Sequence, residues 1–253
     1  MSTRFMSTDN QTGRSFFAMI FFNYVGNHIG NTTLNALKDT LLPNGIFLRR
    51  GSQLTYPINF DYSYSLRTFL NAGLPIELIR CNLNLSTSFN FSLTPGQVNE
   101  VKNFSKSYSI GQGVMINSNI SEEIDFRLSY SPTYNITKND KQSELNREYF
   151  VHNASAGIYW MFLERFFIKS DFGYYFNQGI SKDLKREYYL WSGSLGVKLF
   201  ENKSGELRFD TFDILDQNKS LNRIITETYI EDKSTIVLRR YFMLSFVYNL
   251  RMF

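Results

Sequence analysis

Residues able to do chemistry are few in this chain of 253. It holds two histidines, His28 and His152, and one cysteine, Cys81. A histidine serves as general base or metal ligand, and a cysteine as nucleophile, only in suitable company. That company is missing: no HExxH, CxxC, GxSxG or Walker pattern occurs. One cysteine forms no internal disulfide. The neighbouring acids Glu122-Glu123 and Glu231-Asp232 have the right type for acid–base work, but they fall in connections and read as solvated surface. Asn-x-Ser/Thr matches at Asn84, Asn90 and Asn135 follow from a face built of Asn and Ser. A different set is more telling. Arg67, Arg80, Asp125, Arg127, Lys169, Asp171, Lys198, Glu206, Arg208 and Asp210 stand at alternate positions among small polar residues. Their chemistry is electrostatic: pairing with one another, or contact with a polar partner. No catalytic residue, metal or cofactor is expected, and so no enzyme.

The alternation that carries these charges is the main signal of the sequence. From Leu54 the even positions read Leu54, Tyr56, Ile58, Phe60, Tyr62, Tyr64, Leu66, Thr68, Leu70, Ala72 and Leu74. The odd ones read Thr55, Pro57, Asn59, Asp61, Ser63, Ser65, Arg67, Phe69, Asn71 and Gly73, with Phe69 the exception to their polarity. Successive strand side chains point to opposite faces, so this is a strand with one apolar and one polar face. Runs at 79–93, 104–116 and 124–136 repeat it, and weaker ones cover 150–162, 166–176, 189–199, 207–214 and 242–250. The first run, Phe16, Ala18, Ile20, Phe22 and Tyr24, imitates a signal-peptide core after Arg4 and Arg14. No small-x-small cleavage site follows, and Asn23, Asn27, His28 and Asn31 interrupt it, so it reads as a strand.

About ten strands result, many longer than the ~5–6 residues usual in soluble sheets and than the ~9–11 needed to cross a bilayer. No run approaches the ~18 apolar residues of a spanning helix. The sequence therefore predicts an all-β fold: an antiparallel transmembrane β-barrel. The connections support this. Short ones, around Pro75, Asn119, Glu164 and Asn202, alternate with longer, more charged ones at 34–52, 94–103, 138–148, 178–187 and 217–235. Outer-membrane barrels have short periplasmic turns and longer extracellular loops. Tyr108, Tyr134, Phe150, Tyr174, Phe176, Tyr189 and Trp191 mark an outer aromatic girdle, and Trp160, Phe162 and Phe166 an inner one. Both histidines take the apolar parity, and Cys81 packs on that face. Lys106 and Arg240 break the parity near outer strand ends, where snorkelling is possible. Eight of the ten wall charges, Arg67, Arg80, Asp125, Arg127, Lys169, Asp171, Arg208 and Asp210, are the candidates expected to face the lumen.

The composition agrees. Aromatic residues make 17% of the chain, while charged ones make 20%, below the roughly 25% of an average protein. Lys+Arg 27 against Asp+Glu 23 leaves +4, but the basic residues lie beside acids, as in Lys182-Asp183-Leu184-Lys185-Arg186-Glu187. No basic patch forms, so no nucleic-acid partner is expected. A propeller would show four short strands per repeat rather than two long ones. A soluble sandwich would need two apolar faces packed together.

The last fifty residues carry a resemblance. The stretches Gly205-Glu206-Leu207-Arg208-Phe209 and Phe212-Asp213-Ile214-Leu215-Asp216-Gln217-Asn218-Lys219-Ser220 resemble the penultimate strand of TonB-dependent outer-membrane receptors. Thr228-Tyr229-Ile230-Glu231-Asp232 and the run from Leu238 through Arg240 to Leu250 resemble their closing strand. More narrowly, the chain is similar to the branch called outer membrane beta-barrel family protein, to which Ser129-Tyr130-Ser131-Pro132 and Leu190-Trp191 also conform. The resemblance covers about the whole chain. It implies a 22-stranded barrel filled by an N-terminal plug and importing bulky ligands with energy from the TonB complex. With about ten strands, no plug and no TonB box, residues 1–253 look like the C-terminal part of such a barrel, and residues 1–7 like the tail of a preceding strand. The closing strand carries an insertion motif of Phe242, Leu244, Phe246, Tyr248 and Leu250, with Phe253 past the pleat. Expected partners are outer-membrane lipid, the barrel-assembly machinery, an imported ligand, and the TonB complex through the plug alone. The expected location is the cell outer membrane. The alternative is a complete barrel of about ten strands with a structural, adhesin or enzymatic role. Pairing of the first strand with the last would decide for it.

Overall fold

Alternation of this length forms strands because a fully extended backbone is the one conformation that separates the two residue classes onto opposite faces. The computed structural model describes residues 1–118, 120–121, 123–179, 186–225, 230–235 and 237–250. Its strands are β1 (Ser2–Asp9), β2 (Arg14–Asn35), β3 (Thr40–Leu41), β4 (Phe47–Leu48), β5 (Gln53–Ile76), β6 (Cys81–Val98), β7 (Val101–Ser118), β8 (Ile124–Asn139), β9 (Arg147–Phe162), β10 (Phe166–Asn177), β11 (Glu187–Leu199), β12 (Gly205–Phe212), β13 (Ser220–Ile225), β14 (Ile230–Thr235) and β15 (Tyr241–Tyr248). Eleven of them form one antiparallel sheet in the order β1-β2-β5-β6-β7-β8-β9-β10-β11-β12-β15. The hairpins β3–β4 and β13–β14 are separate two-stranded sheets inside connections. Among the described residues no helix is long and apolar enough to cross a membrane.

Residues 1–7, expected as the tail of a strand, belong to β1, paired with β2 from Ser2↔Phe21 to Asp9↔Arg14. The sheet is open: among the described residues β1 and β15 are its edges and do not pair with each other, so no closed barrel forms from these strands, as expected of an incomplete barrel. The accessible surface is 17087 Å². A compact chain of 29.6 kDa would show about 11,600 Å². The excess is that of a single layer with neither face covered, which also excludes the two packed sheets of a sandwich.

Cross-strand register keeps one parity across the sheet. One row runs Val114↔Tyr130, Tyr130↔Ala154, Ala154↔Tyr174 and Tyr174↔Tyr189, apolar throughout. Another runs Ile168↔Leu195, Leu195↔Phe209 and Phe209↔Leu244. A slip of one residue at any interface would send every later strand's apolar set to the other face. Aromatic rings gather near the two ends of the apolar face. Towards the long connections Tyr62, Tyr64, Phe91 and Tyr108 follow one another at centroid distances of 6.2, 5.6 and 4.8 Å. Towards the short turns Trp160, Phe162 and Phe166 do so at 5.3 and 5.9 Å.

The connection expected at 94–103 is instead a continuation of β6 and β7, joined by the two-residue turn Asn99-Glu100. Both residues have positive φ, 46° and 65°, as a type I′ hairpin turn requires. This projecting tip folds across β5 to reach β2. Thr32 and Thr33 pair in parallel with Gln97 and Val98, and the Asn99 amide donates to the Thr33 carbonyl at 2.9 Å. A Cβ at Gly30 would come within 3.2 Å of the Pro95 carbonyl, so glycine permits the crossing. Thr32, Thr33, Phe60, Leu93 and Pro95 are buried there. Apolar residues that project beyond the rest of the sheet thus cover each other.

Candidate functional site on the polar face

The polar face is built from the residues opposite the apolar rows. One cross-strand line runs Asp125↔Tyr159, Tyr159↔Lys169, Lys169↔Ser194 and Ser194↔Asp210. Register therefore brings charges far apart in sequence onto one strip. Asp125, Arg127, Lys169 and Asp171 line a groove of about 290 Å³ together with Asn117 and Tyr159. Lys169 pairs with Asp171 at 3.1 Å, and Asp125 accepts the Ser118 hydroxyl at 2.8 Å. Gly157 leaves the space that the Asp171 carboxylate uses: a Cβ there would stand 2.9 Å from it.

A second network surrounds Arg208. Its guanidinium donates to Asp210 at 2.8 Å and to Glu206 at 3.3 Å. Asp210 also accepts the hydroxyls of Ser194 at 2.6 Å and Ser245 at 3.3 Å. Three strands, β11, β12 and β15, thereby share one charge cluster. Arg67 stands apart, exposed on β5, in a groove of about 600 Å³ with Ser65, Asn90, Ser107, Asn135 and Tyr149. Among the eight expected wall charges, seven lie on strands of this face. Arg80 does not: it stands exposed in the turn before β6, with φ 48°, capping a short 3-10 turn. The strand begins one residue later than the alternation implied, so Arg80 leaves the pleat.

The polar face is not polar to its margins. Phe69, the exception in the alternation, packs against Phe17 with centroids 6.2 Å apart. Met19 and Phe21 share its parity on β2, and Met243 and Val247 do so on β15. Phe21, Phe69, Met243 and Val247 are exposed. Both ends of the sheet thus present apolar groups on the otherwise wet face. The even positions of β2 carry its regular apolar alternation, and this second, odd-numbered set lies beyond that pattern.

Other sequence candidates separate from the polar face. His152 sits on the apolar side among the rings of Tyr130, Phe150, Tyr174 and Phe176, 5.1–5.7 Å away, and its buried Nδ1 has no hydrogen-bond partner. His28 faces Ser63, whose hydroxyl lies 3.0 Å from Nδ1, because Asn27 at φ 49° twists β2 just before it. Cys81 is buried and donates to the Ile79 carbonyl. Phe242, Leu244, Phe246, Tyr248 and Leu250 are all exposed on the last strand or just past it. Phe253, Glu122, Lys182 to Lys185, and Thr228-Tyr229 lie outside the described residues.

One residue that belongs to no catalytic motif of the sequence organises the connection after β12. Asp213 is fully buried. Its carboxylate accepts the amides of Gln217 at 3.0 Å and Asn218 at 2.9 Å. Its own amide donates to the Ser192 hydroxyl at 3.3 Å. Asn218 in turn donates to the Leu238 carbonyl at 2.8 Å, tying the start of this long connection to its end. The run Phe212 to Asn218 is therefore a folded knot. Asp and Asn two or three residues apart in a polar stretch are the signal that marks it.

No protein-family model, curated protein or solved structure matches the chain.

Proposed function

We propose that this chain is part of the wall of a TonB-dependent outer-membrane receptor, a transporter barrel in the cell outer membrane. The observation that carries the reading is the apolar parity shared across a sheet of eleven strands, eight of them 12 to 24 residues long, backed by a charged and amide-rich face. A single-layer sheet of this kind is stable where one side meets hydrocarbon and the other a wet lumen.

The dimensions agree. From Ile124 near the short turns to Tyr134 in the aromatic belt is ten residues of β8. At ~3.3 Å per residue this is ~33 Å, or ~25 Å across the membrane at a ~40° tilt. Tyrosine hydroxyls point to charged neighbours: Tyr134 donates to Glu148 at 2.9 Å and Tyr174 to Glu187 at 3.2 Å. Rings in lipid with wet tips are what an interface favours. Lys106 pairs with Asp140 at 3.3 Å, and Arg240 donates to the Ile214 carbonyl, so both apolar-parity cations find partners toward the long connections.

In this reading the short turns are periplasmic, the long connections extracellular, and the charge strip lines the lumen. The apolar patch at Phe17, Phe21 and Phe69 seats whatever fills it. Bulky ligand import and TonB coupling belong to the complete receptor. The open edges count against the alternative of a complete small barrel. Cell fractionation tests the proposal. Recovery with the outer membrane, resisting salt and carbonate extraction, is expected. A monomeric protein soluble without detergent would sink it.

A further inference from the structure

We infer that one cross-strand row of the polar face, Arg67, Asn90, Ser109, Asn135 and Tyr149, is a binding site for an acidic oligosaccharide, which lies across the strands with a carboxylate on Arg67. The inference rests on the membrane-wall reading, which makes this face the wet one and puts the row at its outer mouth.

Register builds the row. Arg67 opposes Asn90, Asn90 opposes Ser109, Ser109 opposes Asn135, and Asn135 opposes Tyr149. Four strand spacings of ~4.8 Å make it ~19 Å long. The next row outward is hydroxyl throughout: Ser65, Ser92, Ser107 and Thr137 oppose one another in turn. Both rows line the groove of about 600 Å³, a volume within the ~300–1,000 Å³ of small-molecule sites. Ser109 and Asn135 each directly follow a belt tyrosine, Tyr108 and Tyr134, so the row stands behind the outer aromatic belt.

Its hydrogen-bonding capacity is unspent. Elsewhere on this face cations meet acids: Lys169 pairs with Asp171, Arg208 with Asp210 and Glu206, and Arg127 shares its groove with Asp125 and Asp171. Arg67 has Phe21 on one side and Asn90 on the other. Among the described residues its guanidinium makes no ion pair or hydrogen bond, and the side chains of Asn90, Ser109 and Asn135 make none either. Just outward on the same strands, by contrast, the amides of Asn103 and Asn139 bond to each other at 3.0 Å. A guanidinium takes a carboxylate through two parallel N–H bonds. Amides and hydroxyls repeating at the strand spacing match the repeat of successive sugar rings. Tyr149 adds a ring face, held where Gly179 packs on it: a Cβ at Gly179 would stand 2.6 Å from that ring. One uncompensated cation suits a single acid group rather than a nucleic-acid backbone, and no acid, imidazole or thiol lines the groove to hold a metal.

Titration calorimetry of the full chain, solubilised in detergent from the outer-membrane fraction, tests this. The probes are tetragalacturonate, the same tetramer methyl-esterified at every carboxyl, and tetraglutamate. Tetragalacturonate is expected to bind at least about tenfold tighter than its ester, the factor that a hydrogen bond to a charged group contributes. Arg67→Gln should cancel that preference and leave the ester's affinity unchanged, while Asn135→Leu should weaken both sugars. Equal binding of acid and ester, no binding of either, or an Arg67→Gln chain that still prefers the acid would overturn the inference alone. So would tighter binding of tetraglutamate, which would make an acidic protein segment the occupant. A chain found only in the soluble fraction would overturn the membrane reading and this inference together, and the fractionation step tells the cases apart.

Discussion

Asp213 shows how much one buried carboxylate can organise. It is fully enclosed and accepts two backbone amides. Hydrogen bonds to a charged group contribute ~1.5–3 kcal/mol each, and their loss also leaves two half-buried backbone amides without this acceptor. Asp213→Ala should destabilise the sheet by ~2–4 kcal/mol, while Asp213→Asn, which keeps an acceptor and tolerates the φ of 50°, should cost about half as much. Unfolding in detergent, followed by tryptophan fluorescence, measures both; equal losses would refute the account. The turn Asn99-Glu100 gives the opposite case. Asparagine suits its left-handed position, but Glu100 holds φ 65° at a steric cost. Glu100→Gly should stabilise by ~0.5–1 kcal/mol, visible as a raised unfolding midpoint. No change or a loss would mean that the Glu100 side chain contributes there.

At the scale of the strand, parity decides what a position tolerates. Leu128 and Ser129 are neighbours on β8 with opposite faces: Leu128 is 47% exposed on the apolar side, and the Ser129 hydroxyl lies 2.7 Å from that of Ser155 on the polar side. Arginine on a lipid face costs ~2–4 kcal/mol near the midplane. Leu128→Arg should lose about that much on refolding into lipid vesicles, and Ser129→Arg less than ~1 kcal/mol. Similar losses at both sites would refute the assignment of faces. This parity was legible in the sequence because Asn and Ser alternate with Leu, Phe and Tyr over whole strands. The turn at Asn99-Glu100 was not, since it lacks the glycine that usually announces a two-residue hairpin. Pro95, Gly96 and Lys102 nearby imitate a loop. Pro95 is tolerated because β6 has already parted from β5, whose last pair with it is Tyr64↔Leu93. Pro132 is accommodated by a gap in the β7–β8 ladder between Gly111↔Thr133 and Val114↔Tyr130. The charge groove was half legible. Residue types gave Asp125, Arg127, Lys169 and Asp171 a common face, but only register placed them side by side. The Arg80 turn and the apolar margins depended on strand ends and neighbours that one-dimensional alternation does not fix.

The whole molecule is a sheet with edges, and its stability should grade accordingly. Central strands have two neighbours, whereas β1 and β15 have one each. In hydrocarbon each unpaired backbone group costs several kcal/mol, so the margins of the isolated chain should fray first. Hydrogen exchange of the detergent-solubilised protein should show β7 to β10 protected far longer than β1 and β15. Uniform protection would indicate that the edges have found a partner, and mass measurement would then say which.

The crossing of the β6–β7 tip over β5 onto β2 has a kinetic meaning. Every other strand pairing among the described residues of the main sheet joins strands adjacent along it, so the chain can assemble by zippering one strand onto the last. In the sheet β5 lies between Thr32 on β2 and Gln97 on β6, and the Asn35 amide reaches the Asn99 side chain at 2.7 Å across 64 residues. Such a contact raises the contact order locally and forms only after β2, β5 and β6 have taken their final register. It fits correctly laid strands and no others. The clasp is thus a late proofreading step for the first third of the sheet.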